Sequence, residues 1–287
     1  MTTIGILWPG AMGSAIGRAW RSAGVDVVTS LDGRSARTRD LAGDLTALGS
    51  LEEVVRVSDA VVSVVPPAHA VTQAEEIAAA VRRTESTPVV ADLNAISPAT
   101  MARVASVLGG VGCLVVDGAI SGPPPRPDGD TALFLSGASC SPFADLAAPG
   151  LRAVVVGSEV GAASATKMST AAIYKGTKAL LLQSLLTARH HGVLDAVVED
   201  LSTGAPELTA HLARDLAVAA SKSDRFPAEM REIASTQAAA GAGSELYEAV
   251  AKVFGRADAS AAGAATPEEA ASAIDLDAVL DALTRHR

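Results

Sequence analysis

The sequence predicts an α/β chain: a doubly wound N-terminal sheet over residues 1–157, then an all-α C-terminal domain over residues 158–287. Three observations carry that prediction. Short β-branched runs alternate with Ala-rich segments of helical length up to about residue 157. From Gly161 onward the strand signals stop. The first strand, beginning Thr3-Ile4-Gly5-Ile6, runs straight into a glycine turn that opens a helix. A chain of 287 residues is long enough to give each half its own core.

After the first strand and the helix Ala11–Ala23, strands are expected at Val25–Ser30, Ala60–Val65, Pro88–Ala91, Leu114–Val116, Ala132–Leu135 and Ala153–Val156. They are short and apolar throughout, as strands covered on both faces should be. Helices are expected at Ala70–Arg82 and at Pro98–Val107, the latter with Ser97 as N-cap and Pro98 in the first position. Ala162–Arg189 reads as one long helix, apolar or small nearly all round, which predicts burial on every side. A small helical domain offers limited cover for it, so a homodimer through that domain is expected. Ala257–Pro267 is Ala/Gly-rich and reads as a loop.

Hydrophobic residues make up 49% of the chain and aromatics 3%, so the core is built from Ala, Val and Leu. The formal charge of −9 argues against a nucleic-acid or anionic-membrane partner. Cys113 and Cys140 lack metal-ligand spacing and read as structural thiols in a reducing compartment. His190, His191 and His211 show no ligand pattern, so no metal is expected. The N-terminus has no signal-peptide pattern, and Ala179–Leu186 is too short to span a bilayer, which predicts a cytoplasmic protein.

The turn Trp8-Pro9-Gly10-Ala11-Met12-Gly13 is a G-x-G-x-x-G motif of the Rossmann type with Trp8 in place of its first glycine. Gly10 lets the backbone approach a pyrophosphate, and Gly13 lets the helix pack on the strand. Ala11 and Met12 open the helix whose N-terminus would hold the phosphates. Trp8, with Pro9 behind it, is expected to change the turn. After the second strand, Asp32 suits a ribose 2′-hydroxyl, whereas Arg34, Ser35 and Arg37 suit a 2′-phosphate. NADP is favoured, with NAD as the alternative; a solvated first turn of a surface helix is the other reading of the arginines. Val65 and Pro66 end a buried strand where the nicotinamide ribose would lie. Asn94, at the end of the next strand, is a better contact candidate than the capping Ser97.

Two further blocks complete a pattern: Asp117-Gly118-Ala119-Ile120-Ser121-Gly122-Pro123, and Gly157 to Met168 at the start of the long helix. With the N-terminal turn and Asn94–Pro98, their order and spacing resemble the β-hydroxyacid dehydrogenase superfamily. That superfamily includes 6-phosphogluconate dehydrogenase and has the imine reductases as relatives. The chain looks closest to its less characterised branch with a Ser-Gly-Pro-Pro loop, here Ser121–Pro124.

The resemblance implies substrate binding at Ser121 and Gly122 and a catalytic lysine at Lys167. A lysine among small apolar residues is desolvated, which suits proton exchange with a substrate hydroxyl; a lysine snorkelling from a helix end is the alternative. Thr170, Ala171, Tyr174 and Lys178 share its helix face. Ala171 stands where the family usually has an asparagine that orients substrate, and Tyr174 where 6-phosphogluconate dehydrogenase places a glutamate acid. Glu229 and Met230 stand where many members have a Lys-Asp pair; Glu229 would either face the pocket or lie on a solvated helix face.

The function expected is an NADP-dependent oxidoreductase acting on a small hydroxy or oxo acid or a related carbonyl compound, with Lys167 as general acid/base. One alternative is an imine reductase-like enzyme with Tyr174 as proton donor, although its ring could equally serve only for packing. The other is a catalytically silent dinucleotide sensor.

Overall fold

The computed structural model describes residues 2–146 and 148–286. The chain folds into two compact units, Met1–Ser169 and Thr170–Arg287.

In the first unit the elements run β1 (Thr3–Leu7), α1 (Ala11–Ser22), β2 (Asp26–Ser30), α2 (Ala36–Ala42), β3 (Thr46–Leu48), α3 (Leu51–Val57), β4 (Ala60–Ser63), α4 (Ala70–Thr84), β5 (Val89–Asp92) and α5 (Pro98–Gly109). They continue with β6 (Val115–Ser121), β7 (Thr131–Ser136), α6 (Ser141–Ala144) and β8 (Leu151–Gly157). The strands form one sheet in the order β3-β2-β1-β4-β5-β6-β7-β8. The first six are parallel, β7 is antiparallel to β6, and β8 is parallel to β7.

Strand alternation divides the apolar residues between the two faces. Ile4, Ile6, Val27 and Val62 pack with Ile16 and Trp20 of α1 and Phe143 of α6. Leu7, Val28, Val61 and Val90 pack with α3, α4 and α5 through Val54, Ile77 and Met101. The doubly wound architecture is thus present as expected. The chain reverses its winding between β1 and β4, so the carboxyl ends of those strands border the crevice where such sheets take ligands.

The three-residue β3 was not legible, because this exposed edge strand has no apolar run. Likewise β6 extends through Ser121, enclosing Asp117 and Gly118, although polar and glycine residues obscure the strand pattern there.

The long helix α7 (Ala162–His190) begins in the first unit and continues into the second. The second unit continues with α8 (Leu194–Gly204), α9 (Pro206–Thr209), α10 (Leu212–Ala220), α11 (Phe226–Ala239), α12 (Glu245–Asp258), α13 (Pro267–Ala270) and α14 (Leu276–Thr284). Burial of α7 on all sides is corrected: Ile173, Tyr174 and Leu180 are 70%, 66% and 63% exposed, because one chain does not cover that face. The expected loop at Ala257–Pro267 is also shorter than its composition suggests. It contains a 3-10 turn at Ala262–Ala264, and Thr266 and Glu269 form a capping box that starts α13. Among the described residues, no helix is long and apolar enough to cross a membrane.

Gly5 is where β1 and α3 approach most closely: an added Cβ would lie 2.5 Å from Val54 Cγ1 and 2.8 Å from Ser58 Oγ. Both neighbours are buried, and the β-branched Val54 has little freedom to yield. Gly5→Ala is expected to destabilise the chain by about 1–3 kcal/mol in urea unfolding, as overpacking does.

Candidate functional site

The tryptophan lies within the glycine turn, between β1 and α1. Trp8 itself adopts the left-handed backbone that favours glycine, with φ 59°. The Gly10 N–H then closes the turn on the Trp8 carbonyl at 2.7 Å. Where the sequence leads one to expect an altered turn, Trp8 itself carries the backbone strain. Gly13 is required by proximity, since a Cβ there would lie 3.0 Å from the Trp8 carbonyl oxygen. Gly10 is different. Its backbone is extended (φ −69°, ψ −166°) and nothing lies within 4 Å of an added Cβ, so no protein neighbour excludes a side chain. It is also the N-cap of α1 and offers no capping side chain, leaving the helix entrance open beside Ala11 and Met12.

On the β2 side of this turn, a cavity of about 170 Å³ is bordered by Leu7, Trp8, Ser30, Asp32, Arg34 and Gln73. The Arg34 guanidinium carbon lies 4.0 Å from the Trp8 ring centroid. The His69 ring stacks on the same indole at a centroid distance of 5.8 Å. Burial pushes the Arg34 pKa down, while Glu76 and Asp32 push it up. Arg34 follows the left-handed Gly33, and its N–H donates to the Leu31 carbonyl. Ser35 caps α2 by accepting from the Thr38 N–H at 3.2 Å. Arg37 is exposed on the first turn of that helix.

Between β4 and β5 the polar groups bind one another. The Asn94 side-chain oxygen accepts from the Val65 N–H at 2.6 Å, and its amide donates to Ser63 Oγ at 3.0 Å and Asp92 Oδ2 at 2.7 Å. Asn94 is 2% exposed, so its carboxamide acts as a bracket that holds the Val65–Pro66 turn against the end of β5. Ser97 caps α5, accepting from the Thr100 N–H.

Asp92 and Asp117 are register partners on neighbouring strands, and both are buried. Burial raises the Asp92 pKa to about 7, with Asp117 adding to the rise and hydrogen bonds from Asn94 opposing it. Asp117 fixes the start of α7. Its Oδ2 accepts from Gly161 N at 2.8 Å, Ser164 N at 3.0 Å and Ser136 Oγ at 2.8 Å, and its Oδ1 accepts from Ser164 Oγ at 2.6 Å. A negative charge at this helix entrance is stabilised by the free N–H groups it meets. Lys167 follows Ser164 by three residues, on the same side of the helix, and is half-buried. Ser121 ends β6, the strand that carries Asp117, and Gly122 follows in the left-handed region at φ 132°.

The N-terminal model, the NAD binding domain of 6-phosphogluconate dehydrogenase, matches residues 3–154, more than half of the chain. The chain belongs to that family. A domain of unknown function, DUF1932, matches residues 188–257. A conserved protein of unknown function, reported as structurally similar to 3-hydroxyacid dehydrogenases, is 29% identical with a TM-score of 0.67, over 89% of this chain and 96% of that one. The 3-hydroxyisobutyrate dehydrogenase of Salmonella typhimurium is 20% identical with a TM-score of 0.68, over 98% and 99%. The reductive aminase of Aspergillus terreus, solved with NADPH and ethyl-5-oxohexanoate, is 15% identical with a TM-score of 0.57, over 98% and 99%. At those lower identities the likeness is one of fold.

By family, the protein is an NAD(P)-dependent oxidoreductase of the 6-phosphogluconate dehydrogenase type. The first unit fits a nicotinamide dinucleotide. The space left by Gly10 at an uncapped helix entrance is what a pyrophosphate needs, and cationic Arg34 stands at the far side of the turn.

In the second unit, Ala171 is buried while Tyr174 is exposed, so packing of its ring within the chain is not its role. Glu229 is buried too, ion-paired with Lys175, whose ammonium lies 4.4 Å from the Phe226 ring centroid. The solvated helix face expected as one possibility for Glu229 is corrected: the residue is buried in an ion pair. Lys175 gave no signal in the sequence because its partner is on a distant helix. Asp117 and His69 were missed as site-forming residues because their partners lie far off in the chain, and Asp92 because its burial is set by the neighbouring strands.

Because the folded pKa of Asp92 lies above the ordinary value of 3.8, the native state holds a proton that the unfolded chain has lost. This group's contribution to stability is therefore greatest below pH 4 and falls as pH rises towards 7, by a total of about 4 kcal/mol at most. Asp92→Asn, isosteric with the protonated acid, is expected to flatten that part of the pH dependence. Urea unfolding of both proteins at pH 5 and pH 8 checks this.

Proposed function

We propose that the protein is an NADP-dependent enzyme that moves hydride between the nicotinamide and a small hydroxy or oxo acid, or a related carbonyl compound. The observation that carries this is the Asp117 clamp, which ties the strand leading to Ser121 to the helix turn before Lys167. The bound nicotinamide supplies or accepts the hydride. The chain's residues do the rest.

Gly10, Ala11, Met12 and Gly13 hold the pyrophosphate on the entrance of α1. Arg34, Ser35 and Arg37 meet the 2′-phosphate. The Val65–Pro66 turn, held in place by Asn94, lines the nicotinamide end. Ser121 Oγ and the N–H of Gly122 hold the substrate carboxylate. Lys167 Nζ gives a proton to the carbonyl oxygen during reduction and takes it from the hydroxyl during oxidation. Thr170 and Ala171, on the next turn of α7, are the further substrate-binding candidates that the family resemblance supports.

Tyr174 supports a second reading. It is 66% exposed and shares the helix face of Lys167, which supports a role for its phenol as proton donor to an imine. Lys167→Ala is expected to lower kcat about 10²–10⁴-fold with a hydroxy or oxo acid, while Tyr174→Phe stays near wild type. The reverse pattern, measured by nicotinamide absorbance on hydroxy acids and imines, selects the imine reductase. Cofactor binding without turnover on either class selects the silent sensor.

The exposed Ile173, Tyr174 and Leu180 of α7 support a homodimer through the helical domain. Light scattering is expected to give a dimer mass for the wild type and a monomer mass for Ile173→Glu/Leu180→Glu. The buried thiols of Cys113 and Cys140, both pushed up in pKa by burial, support a reducing, cytoplasmic setting.

A further inference from the structure

Trp8 is the residue of the cofactor turn that ordinary stability does not explain. Glycine would adopt its φ of 59° without strain, whereas a bulky aromatic residue does so at a cost. Its indole Nε1 is buried and has no hydrogen-bond partner among the described residues, a second cost. Against these stand two contacts of the ring, the stacked His69 and the overlying Arg34 guanidinium.

Arg34 needs such a restraint. It follows a left-handed glycine, its side chain has many rotamers, and Asp32 and Glu76 both attract it. Drawn onto Asp32, the guanidinium would be neutralised and the site would present neither a free carboxylate nor a free cation. Stacked on the indole instead, it stays at the border of the cavity that also takes in Asp32 and Ser30. The imidazole of His69 braces the indole in turn.

We infer that Trp8 is a positioning residue for Arg34, holding its guanidinium at the border of the cavity beside Asp32 and Ser30 so that the chain selects the 2′-phosphorylated dinucleotide. The inference rests on the proposed preference for NADP, and it turns the loss of the first motif glycine into a specificity device.

Dissociation constants of the full chain for NADPH and NADH, measured by calorimetry, test it. Trp8→Leu and Trp8→Gly are expected to weaken NADPH binding about tenfold while NADH stays within about twofold. Trp8→Phe, which keeps a ring face, is expected to retain most of the preference. Trp8→Gly also removes the backbone strain, so its NADH affinity reports a folded site where Trp8→Leu fails to fold. Arg34→Ala is expected to abolish the preference altogether. If Arg34→Ala abolishes it while both Trp8 variants keep it, the inference is overturned and the NADP reading stands. Tighter binding of both cofactors by Trp8→Gly overturns it as well, because the ring would then be an obstruction. If the wild type binds NADPH and NADH equally, the NADP reading fails first and the inference falls with it.

Discussion

The Asp117 carboxylate is buried at the junction of β6, β7 and α7, and the first unit is organised around it. A carboxylate without solvent is tolerable only when its lone pairs are met, and here Gly161, Ser164 and Ser136 meet them. Ser136 is shared further, since its hydroxyl oxygen accepts from the Ala163 N–H at 3.0 Å. The same contacts satisfy backbone donors at the start of α7 that the helix itself cannot. One interaction therefore resolves two burial problems, an ion and a helix end, and in doing so sets where Lys167 begins its turn.

A second polar knot, of Asn94, Asp92 and Ser63, does comparable work between β4 and β5. Its members bond one another so completely that Asn94 contributes by shaping the Val65–Pro66 turn. Burial raises the pKa of Asp92, and the neighbouring Asp117 adds to the rise. The ends of β4 and β5 thus carry a polar network that serves as a scaffold.

The parts legible in sequence are those governed by short-range pattern. The apolar runs of β1, β4 and β5, the Ser97-Pro98 helix start and the Gly10/Gly13 turn announce themselves within a few residues. The family resemblance extended that reach to Ser121 and Lys167. Lost were features whose partners lie far off in the chain. The Lys175–Glu229 pair is one, because neither residue is distinctive without the other. The exposed side of α7 is another: uniform apolar composition predicts burial, but it does not say whether this chain or another supplies the cover.

Trp8 marks the division between the two kinds of information. The sequence by itself determined the doubly wound half, the helical half, the dinucleotide turn and the family, since periodicity, glycine spacing and motif order are local or ordered quantities. Only the tertiary structure decided that Trp8 adopts a glycine-like backbone and that its ring meets Arg34 and His69. A backbone dihedral is chosen by the balance of strain against contacts. The residues making those contacts come from β1, the end of β2 and the segment before α4, which meet only when the parallel sheet brings the carboxyl ends of its strands to one edge.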